Sequence, residues 1–352
     1  MYYLPYIKGS SYTQPRTQRI TLNVYRCFYE NCVVPTPPPP PKGRPVKHLR
    51  WSRASDWIGA PRGFGGYGGN VPKNGVDVMI KSDWWMVHDK DDVTVVNRLY
   101  LYGALELGNE NDHHLKANII LISGLHGALI VGFSDEPVLT NVLISLTGDH
   151  DSKDMPLTSK VNLGSKALGV FGRLQMYGKT HKVHWTRLQK TVEKGDNSIT
   201  LEDPVDWESG DEIVITTSSF VPEEVEKFVI KEIEEDGKKL ILTKLTQHKH
   251  SAFKTKINNY EVKMSAKVGL ITRNIKIEGA NEPARTWEDQ SFGCRVLVGQ
   301  YPSKDGIPYR GRAELSEVQF SHCGQYGWTE SYDPRYVILA LIKLINRTKS
   351  AL

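Results

Sequence analysis

One glycine pattern recurs along this chain and restricts what it can become. Leu101-Tyr-Gly103-Ala-Leu105-Glu-Leu107, His126-Gly127-Ala-Leu129-Ile-Val131 and Phe171-Gly172-Arg-Leu174-Gln-Met176 all read Gly-x-Leu-x-apolar. The first two glycines are 24 residues apart and the next interval is 45, near one and two periods; Gly279 and Gly324 are again 45 apart. A strand-turn unit repeating every 20-odd residues, on the order of the solenoid periods, cannot bury its inner face without a neighbour. A parallel β-helix satisfies that need, while the ordinary punctuation of a β-sandwich competes with it.

The rest of the pattern is all-β. From Val76 short strands follow one another: DVMI, VTVVNRLYLYGALEL, ANIILISGLHGALIVG, VLISLTG and KALGVFGRLQMYG. Their alternating and β-branched residues, broken by Gly, argue strand over helix. The 30 Gly and 19 Pro fit a chain of many turns. Residues 222–236 place Val225, Phe228, Val229 and Ile233 on one helical face. The dipeptide Asp236-Gly237 favours two strands joined as a hairpin instead. Residues 1–34 read as the end of a preceding module, and 35–50 as a Pro-rich linker of polyproline II type. The run GFGGYGG at 63–69 has no strand before it and no helix after it. Tight turning explains it better than phosphate binding.

The 352 residues carry 45 Lys plus Arg against 40 Asp plus Glu, a net charge of +5. That bias is too weak to imply nucleic acid, no Lys/Arg run stands out as a phosphate-tracking patch, and no nucleic-acid partner is expected; a polyanionic glycan is compatible with it but not demanded. The four Cys lie as Cys27/Cys32 and Cys294/Cys323, without zinc spacing, leaving two disulfides or four free thiols. The opening MYYLPYIKGSSYTQP has no apolar core of a signal peptide. The longest apolar run, Val337 to Ile342, is far short of the roughly 20 residues that cross a bilayer. Both ends are therefore expected to be truncated relative to a longer protein.

Segments from Trp51 to about Lys182 resemble the eight-glycine (G-eight) domain of the fibrocystins and of the hyaluronan-depolymerising cell-surface proteins. The matching elements are Val76-Asp77-Val78-Met79-Ile80, LYGALEL, ISGLHGALIVG, LISLTG and LGSKALGVFGRLQMYG. The resemblance continues through His184-Trp185-Thr186-Arg187-Leu188, Trp207 to Ile215, Val268 to Ile277, SFGCRVLVG and AELSEVQFSHCGQYGW. It is nearest to the fibrocystin branch, fibrocystin-L within it. It implies a G-eight domain over 51–182, then a β-hairpin insert and the first coils of a right-handed parallel β-helix over 183–330. Residues 331–352 form an atypical tail whose Asn346-Arg347-Thr348 is a formal glycosylation sequon. Relatives of this kind are large, secreted or single-span surface glycoproteins.

Gly103, Gly124, Gly127, Gly132, Gly148, Gly164, Gly169, Gly172 and Gly178 read as structural, serving positive φ at corners or close strand approach. Asp149-His150-Asp151 with Asp154 is the best catalytic or Ca²⁺ candidate, because clustered carboxylates serve cation binding or glycoside hydrolysis. Asp135-Glu136 and Arg173 are expected on the same rim; a solvated turn is the competing reading. His248 and His250 share one strand face, and the adjacent His113 and His114 take opposite faces; neither pair suffices for a metal. Trp84, Trp85 and Trp185 are expected to be packing residues. Cys294 and Cys323 are 29 apart, about one coil, and are expected to bridge. An uncapped β-helix end exposes strand edges and predicts aggregation. Two functions follow. The preferred one is non-enzymatic recognition or scaffolding of an extracellular glycan or protein ligand; the other is a hyaluronan-depolymerising hydrolase.

Overall fold

A computed structural model describes residues 39, 41–149, 152–153, 155–157, 162–258, 260–280, 292–302, 308–324 and 338–340. The expected module over 1–34 with Cys27 and Cys32, and the sequon at Asn346, lie outside the described residues. The described chain is strands and turns, with three short 3-10 turns, Ala54–Trp57, Pro222–Glu224 and Glu235–Gly237. Among the described residues no helix is long and apolar enough to cross a membrane.

Thirteen strands join in one sheet whose pairings are all parallel. They sort into three ladders. The first stacks the start of Thr94–Leu101, the start of His113–Val131, Val142–Leu146, Ile275–Gly279 and Val318–Ser321. The second stacks Val78–Ile80, the end of Thr94–Leu101, the middle of His113–Val131, the start of Ala167–Tyr177, Arg295–Val298 and Ile338–Ala340. The third stacks Leu49–Arg50, Trp85–His88, Ala104–Leu107, the end of His113–Val131, the end of Ala167–Tyr177 and Arg312–Ser316. The chain visits the ladders in the order first, second, third and then begins again.

Register explains the alternation of the strands. Val78, Leu99, Ile120, Leu168 and Val296 are successive partners in the second ladder, and each is at most 1 % exposed. Met86, Leu105, Leu129 and Leu174 form the equivalent row in the third, and Leu115, Ile144 and Ile277 in the first. All belong to one buried cluster. Stacked like on like, each contributes about 1.5–3 kcal/mol by leaving water.

Gly127 and Gly172 occupy neighbouring turns, since Ala128 pairs with Arg173. The 45-residue interval is thus one enlarged turn, not two periods. The extra length lies between Leu146 and Ala167, where Met155 and Leu163 pack against Ile119, Leu121 and Phe171 of the second ladder. The expected bridge is present: Cys294 and Cys323 are register partners with Cα atoms 4.2 Å apart.

The start of the stack is closed by aromatic rings. Trp51 and Trp57 meet edge-on at 5.0 Å, and Trp57 meets Trp84 at 5.9 Å. The Trp57 indole donates to the Trp51 carbonyl at 2.9 Å. In the Gly-rich loop, Gly66 sits at φ 92°, and a Cβ there would lie 2.4 Å from the Trp57 ring.

Between Tyr177 and Ile275 the chain leaves the stack and builds an antiparallel module. Six of its strands form a sheet in the order Ser198–Thr200, Lys239–Leu242, Glu226–Glu234, Glu212–Ile215, Lys267–Leu270, Trp185–Arg187, and two more, Ala252–Ile257 and Tyr260–Ser265, pair as a separate hairpin. The expected 226–242 hairpin forms, turning where Asp236 adopts φ 51°. The module has its own core around Trp207, Ile213, Phe228 and Leu240. Trp185 departs from expectation: it is 55 % exposed, with the Lys267 ammonium 4.9 Å over its ring. At the junction the Asn274 side chain accepts from the Lys179 amide and donates to the carbonyls of Val138 and Thr140, at 2.8, 2.8 and 2.9 Å.

Candidate functional site

The three ladders differ on their outer faces. The second carries Ile119, Leu121 and Phe171 packed against Met155 and Leu163, and the third carries Ala104, Ala128 and Ile130 packed beneath Phe133. The first carries polar groups. Because alternate residues point outward, Lys116, Ser145, Glu278 and Ser321 form one row of register partners, with His114, Leu143, Lys276 and Gln319 in the row beside it.

Hydrogen bonds run across this face. The Ser145 hydroxyl donates to Glu278 Oε1 at 3.1 Å, and His114 Nε2 meets the same hydroxyl oxygen at 3.0 Å. Glu278 Oε2 holds the Lys276 ammonium at 2.9 Å. Burial works to raise the Glu278 carboxyl, but the bonds from Lys276 and Ser145 outweigh it and hold it below its usual range. Burial and the Lys116 charge push the His114 imidazole down against the pull of Glu278, favouring its neutral form.

The groups on this face are held by one another. A serine nucleophile needs its proton directed at a base. Ser145 instead directs its proton at Glu278, and His114 is the donor to Ser145. Glycoside hydrolysis needs two carboxyl groups flanking one bond, and Glu278 is the one carboxylate in these two rows among the described residues. What remains is a regular array of donors and acceptors, spaced by the interstrand distance of about 4.8 Å.

The residues singled out from sequence fall elsewhere. Asp149 is exposed at the corner between the first and second ladders. Its carboxylate accepts from Ser152 at 2.9 Å and its carbonyl from Ser165 at 2.7 Å, which closes a turn. His150, Asp151 and Asp154 lie outside the described residues. Arg173 stands at the start of the third ladder, donating to the Pro39 carbonyl at 3.2 Å beside Glu314 and Arg312. The strand portion Ala167–Phe171 separates the Asp149 and Arg173 corners, a span of roughly 16 Å. Asp135 and Glu136 sit in the exposed turn closed by the Phe133 amide donating to the Glu136 carbonyl at 2.8 Å. His250 is buried on Glu226 at 3.0 Å, whereas His248 is half-buried at 3.8 Å from Glu224. Among the described residues no group of three or more His, Cys, Asp or Glu could hold a metal ion.

Of the nine glycines, Gly124, Gly132, Gly148 and Gly164 have φ between 62° and 100°. At the other five, Gly103, Gly127, Gly169, Gly172 and Gly178, a Cβ would come within 2.7 Å of a neighbouring atom.

Residues 65–189 match the G8 domain family. The chain is 36 % identical to Fibrocystin-L of Homo sapiens over 335 residues, which cover 92 % of this chain and 8 % of that protein. It is 28 % identical to Fibrocystin of Canis lupus familiaris over 281 residues, covering 80 % of this chain and 7 % of that one. A G8 domain-containing protein of Dictyostelium discoideum is 29 % identical over 207 residues, covering 54 % of this chain and 13 % of that one. The class is therefore an all-β protein built on stacked parallel strands. More particularly, the chain is a G8-domain protein related in sequence to the fibrocystins, and it spans less than a tenth of the length of the fibrocystins it matches.

Proposed function

We propose that this chain is an extracellular recognition and scaffolding segment of a large cell-surface protein, built as a right-handed parallel β-helix. Its ligand is a chain-like polar molecule, a glycan, laid along the outer face of the first ladder. The reading is supported above all by the His114–Ser145–Glu278–Lys276 relay, in which half-buried His114, Glu278 and Lys276 surround the buried Ser145 hydroxyl on the outer face of the first ladder. Similarity to the fibrocystins supports the surface setting.

The test is binding of the full chain to immobilised neutral and uronate-bearing glycans, including high-molecular-weight hyaluronan, with the glycan sized before and after. Retention on at least one glycan is expected, with Ser145→Ala and Lys276→Ala each weakening it about tenfold, equivalent to about 1.4 kcal/mol. The glycan should keep its length. Equal retention of the variants would move the site off this face, and shortening of the glycan would replace recognition by hydrolysis.

A further inference from the structure

Two histidines meet inside the first turns of the stack. His88 ends the strand Trp85–His88 and His113 begins His113–Val131; they are 0 % and 2 % exposed. Their Nδ1 atoms are 3.1 Å apart, and the rings meet at 5.2 Å and 68°.

The surrounding partners fix where each proton sits. His113 Nε2 lies 2.9 Å from the Gly108 carbonyl, which can only accept, so this nitrogen carries the proton. His113 Nδ1 is then an acceptor, and the hydrogen between the rings belongs to His88 Nδ1. That leaves His88 Nε2 to accept from the Thr94 hydroxyl at 2.8 Å. Both rings are neutral, and every ring nitrogen is used once.

A third ring proton has no good place. On His113 Nδ1 it would oppose the N–H already pointing there. On His88 Nε2 it would force the Thr94 hydroxyl to turn and leave a cation in the core. Burial, helped by His113 and Lys90, holds His88 down to about 3, with Asp89 and Asp92 acting the other way. Burial also lowers His113, against the Gly108 carbonyl, Glu110 and Asp112. Those acids are engaged elsewhere. Glu110 holds Arg44 at 2.5 Å, Asp89 accepts from the Ser52 amide and hydroxyl, and Asp112 accepts from Asn141. The Trp51 ring, 5.3 Å from His88, is the aromatic face beside a cation formed there and is itself part of the cap.

What rests on this pair is the entry to the fold. Leu49 and Arg50 pair with Met86 and Val87, the Trp51 amide donates to the Val87 carbonyl, and Trp51 carries Trp57. We propose that the His88–His113 pair is an acid-operated latch, whose protonation releases the entry strand Leu49–Arg50 and the Trp51–Trp57 cap. Release bares the backbone edge of Trp85–His88, the strand beneath.

The sign is fixed by linkage. Once the cap leaves, the His88 ring loses its Trp51 cover and regains an ordinary value near 6.5, so the open form binds more protons at every pH between that value and about 3. Opening is therefore favoured as pH falls. His88 alone shifts the opening equilibrium about a hundredfold between pH 7.5 and 4.5.

The experiment is hydrogen exchange of the full chain across that pH range, corrected for the intrinsic pH dependence of exchange. Residues 49–60 are expected to open about a hundredfold more readily at pH 4.5, with Val142–Leu146 and Ala167–Tyr177 unchanged. His88→Asn keeps a donor facing His113 and cannot titrate; it should remove most of the rise. A flat profile in the wild type, opening of all strands together, or an undiminished rise in H88N overturns the proposal. Should H88N not fold, NMR titration of the two wild-type imidazoles decides. Silence of both down to pH 5.5 while the cap is closed supports the latch, and an ordinary titration near 6.5 with the cap closed refutes it.

Discussion

At the scale of single residues, the repeating glycine is a contact rather than a hinge. Gly103, Gly127 and Gly172 stack at the corner between the second and third ladders. A Cβ would stand 1.9 Å from the Lys81 carbonyl at Gly103, 2.3 Å from Ser123 O at Gly127, and 2.4 Å from Gly127 O at Gly172. Backbone oxygens cannot step aside, so Gly127→Ala should lower unfolding free energy by about 3 kcal/mol or more in a urea titration. Gly124→Ala is the contrast, with φ 90° and open space around it, and should cost about 1–2 kcal/mol. Equal costs would contradict the packing account. The Gly-x-Leu spacing made the corner glycines visible in the sequence, because the Leu two residues on is the inward core residue of each turn. It could not separate the two kinds of glycine. Nor could it show Ser145 and Glu278 as neighbours, since pairing across 133 residues leaves no local signal.

At the scale of elements, the inserted module carries a buried polar cluster beside its apolar core. His250 Nδ1 lies 3.0 Å from the Thr216 carbonyl and Nε2 lies 3.0 Å from Glu226. Burial works to raise the Glu226 carboxyl, but the Gln247 amide, His250 and the His248 amide outweigh it and hold it below its usual value. A depressed carboxyl contributes stability that is full above its unfolded value and lost as pH falls through its folded value. Glu226→Gln removes the carboxylate that the Gln247 and His248 amides and the buried His250 ring share, and should cost about 3 kcal/mol at pH 7. In thermal unfolding the deficit should shrink as pH falls below the usual carboxylate range; a deficit constant with pH would contradict the assignment. The hairpin holding Glu226 was readable because Asp236-Gly237 outweighed the helical spacing of Val225, Phe228 and Ile233. The exposed Trp185 was not, because hydrophobic identity alone does not tell an outward position from an inward one.

At the scale of the whole molecule, the chain is a parallel stack interrupted by a guest. The Asn274 side chain ties the Lys179 amide to the loop at Val138 and Thr140, so the points of departure and return are adjacent. Replacing residues 182–272 with a short Gly-Ser linker should therefore leave the stack folded, with its parallel-strand circular dichroism retained and its unfolding still cooperative. Loss of the fold would mean that the module supports the stack. The sequence made the strands and the adjacent cysteines legible, but the enlarged turn of 45 residues resembled two periods, since loop length carries no register. The claim on which everything else depends is that Val142–Leu146 and Ile275–Gly279 are neighbours across the insertion. The most direct measurement is oxidation of Leu143→Cys/Lys276→Cys, outward-facing register partners, followed by peptide mass spectrometry. The stacked-ladder account predicts one intramolecular disulfide linking residues 143 and 276; two free thiols at these positions under conditions that keep Cys294 and Cys323 bridged would contradict it.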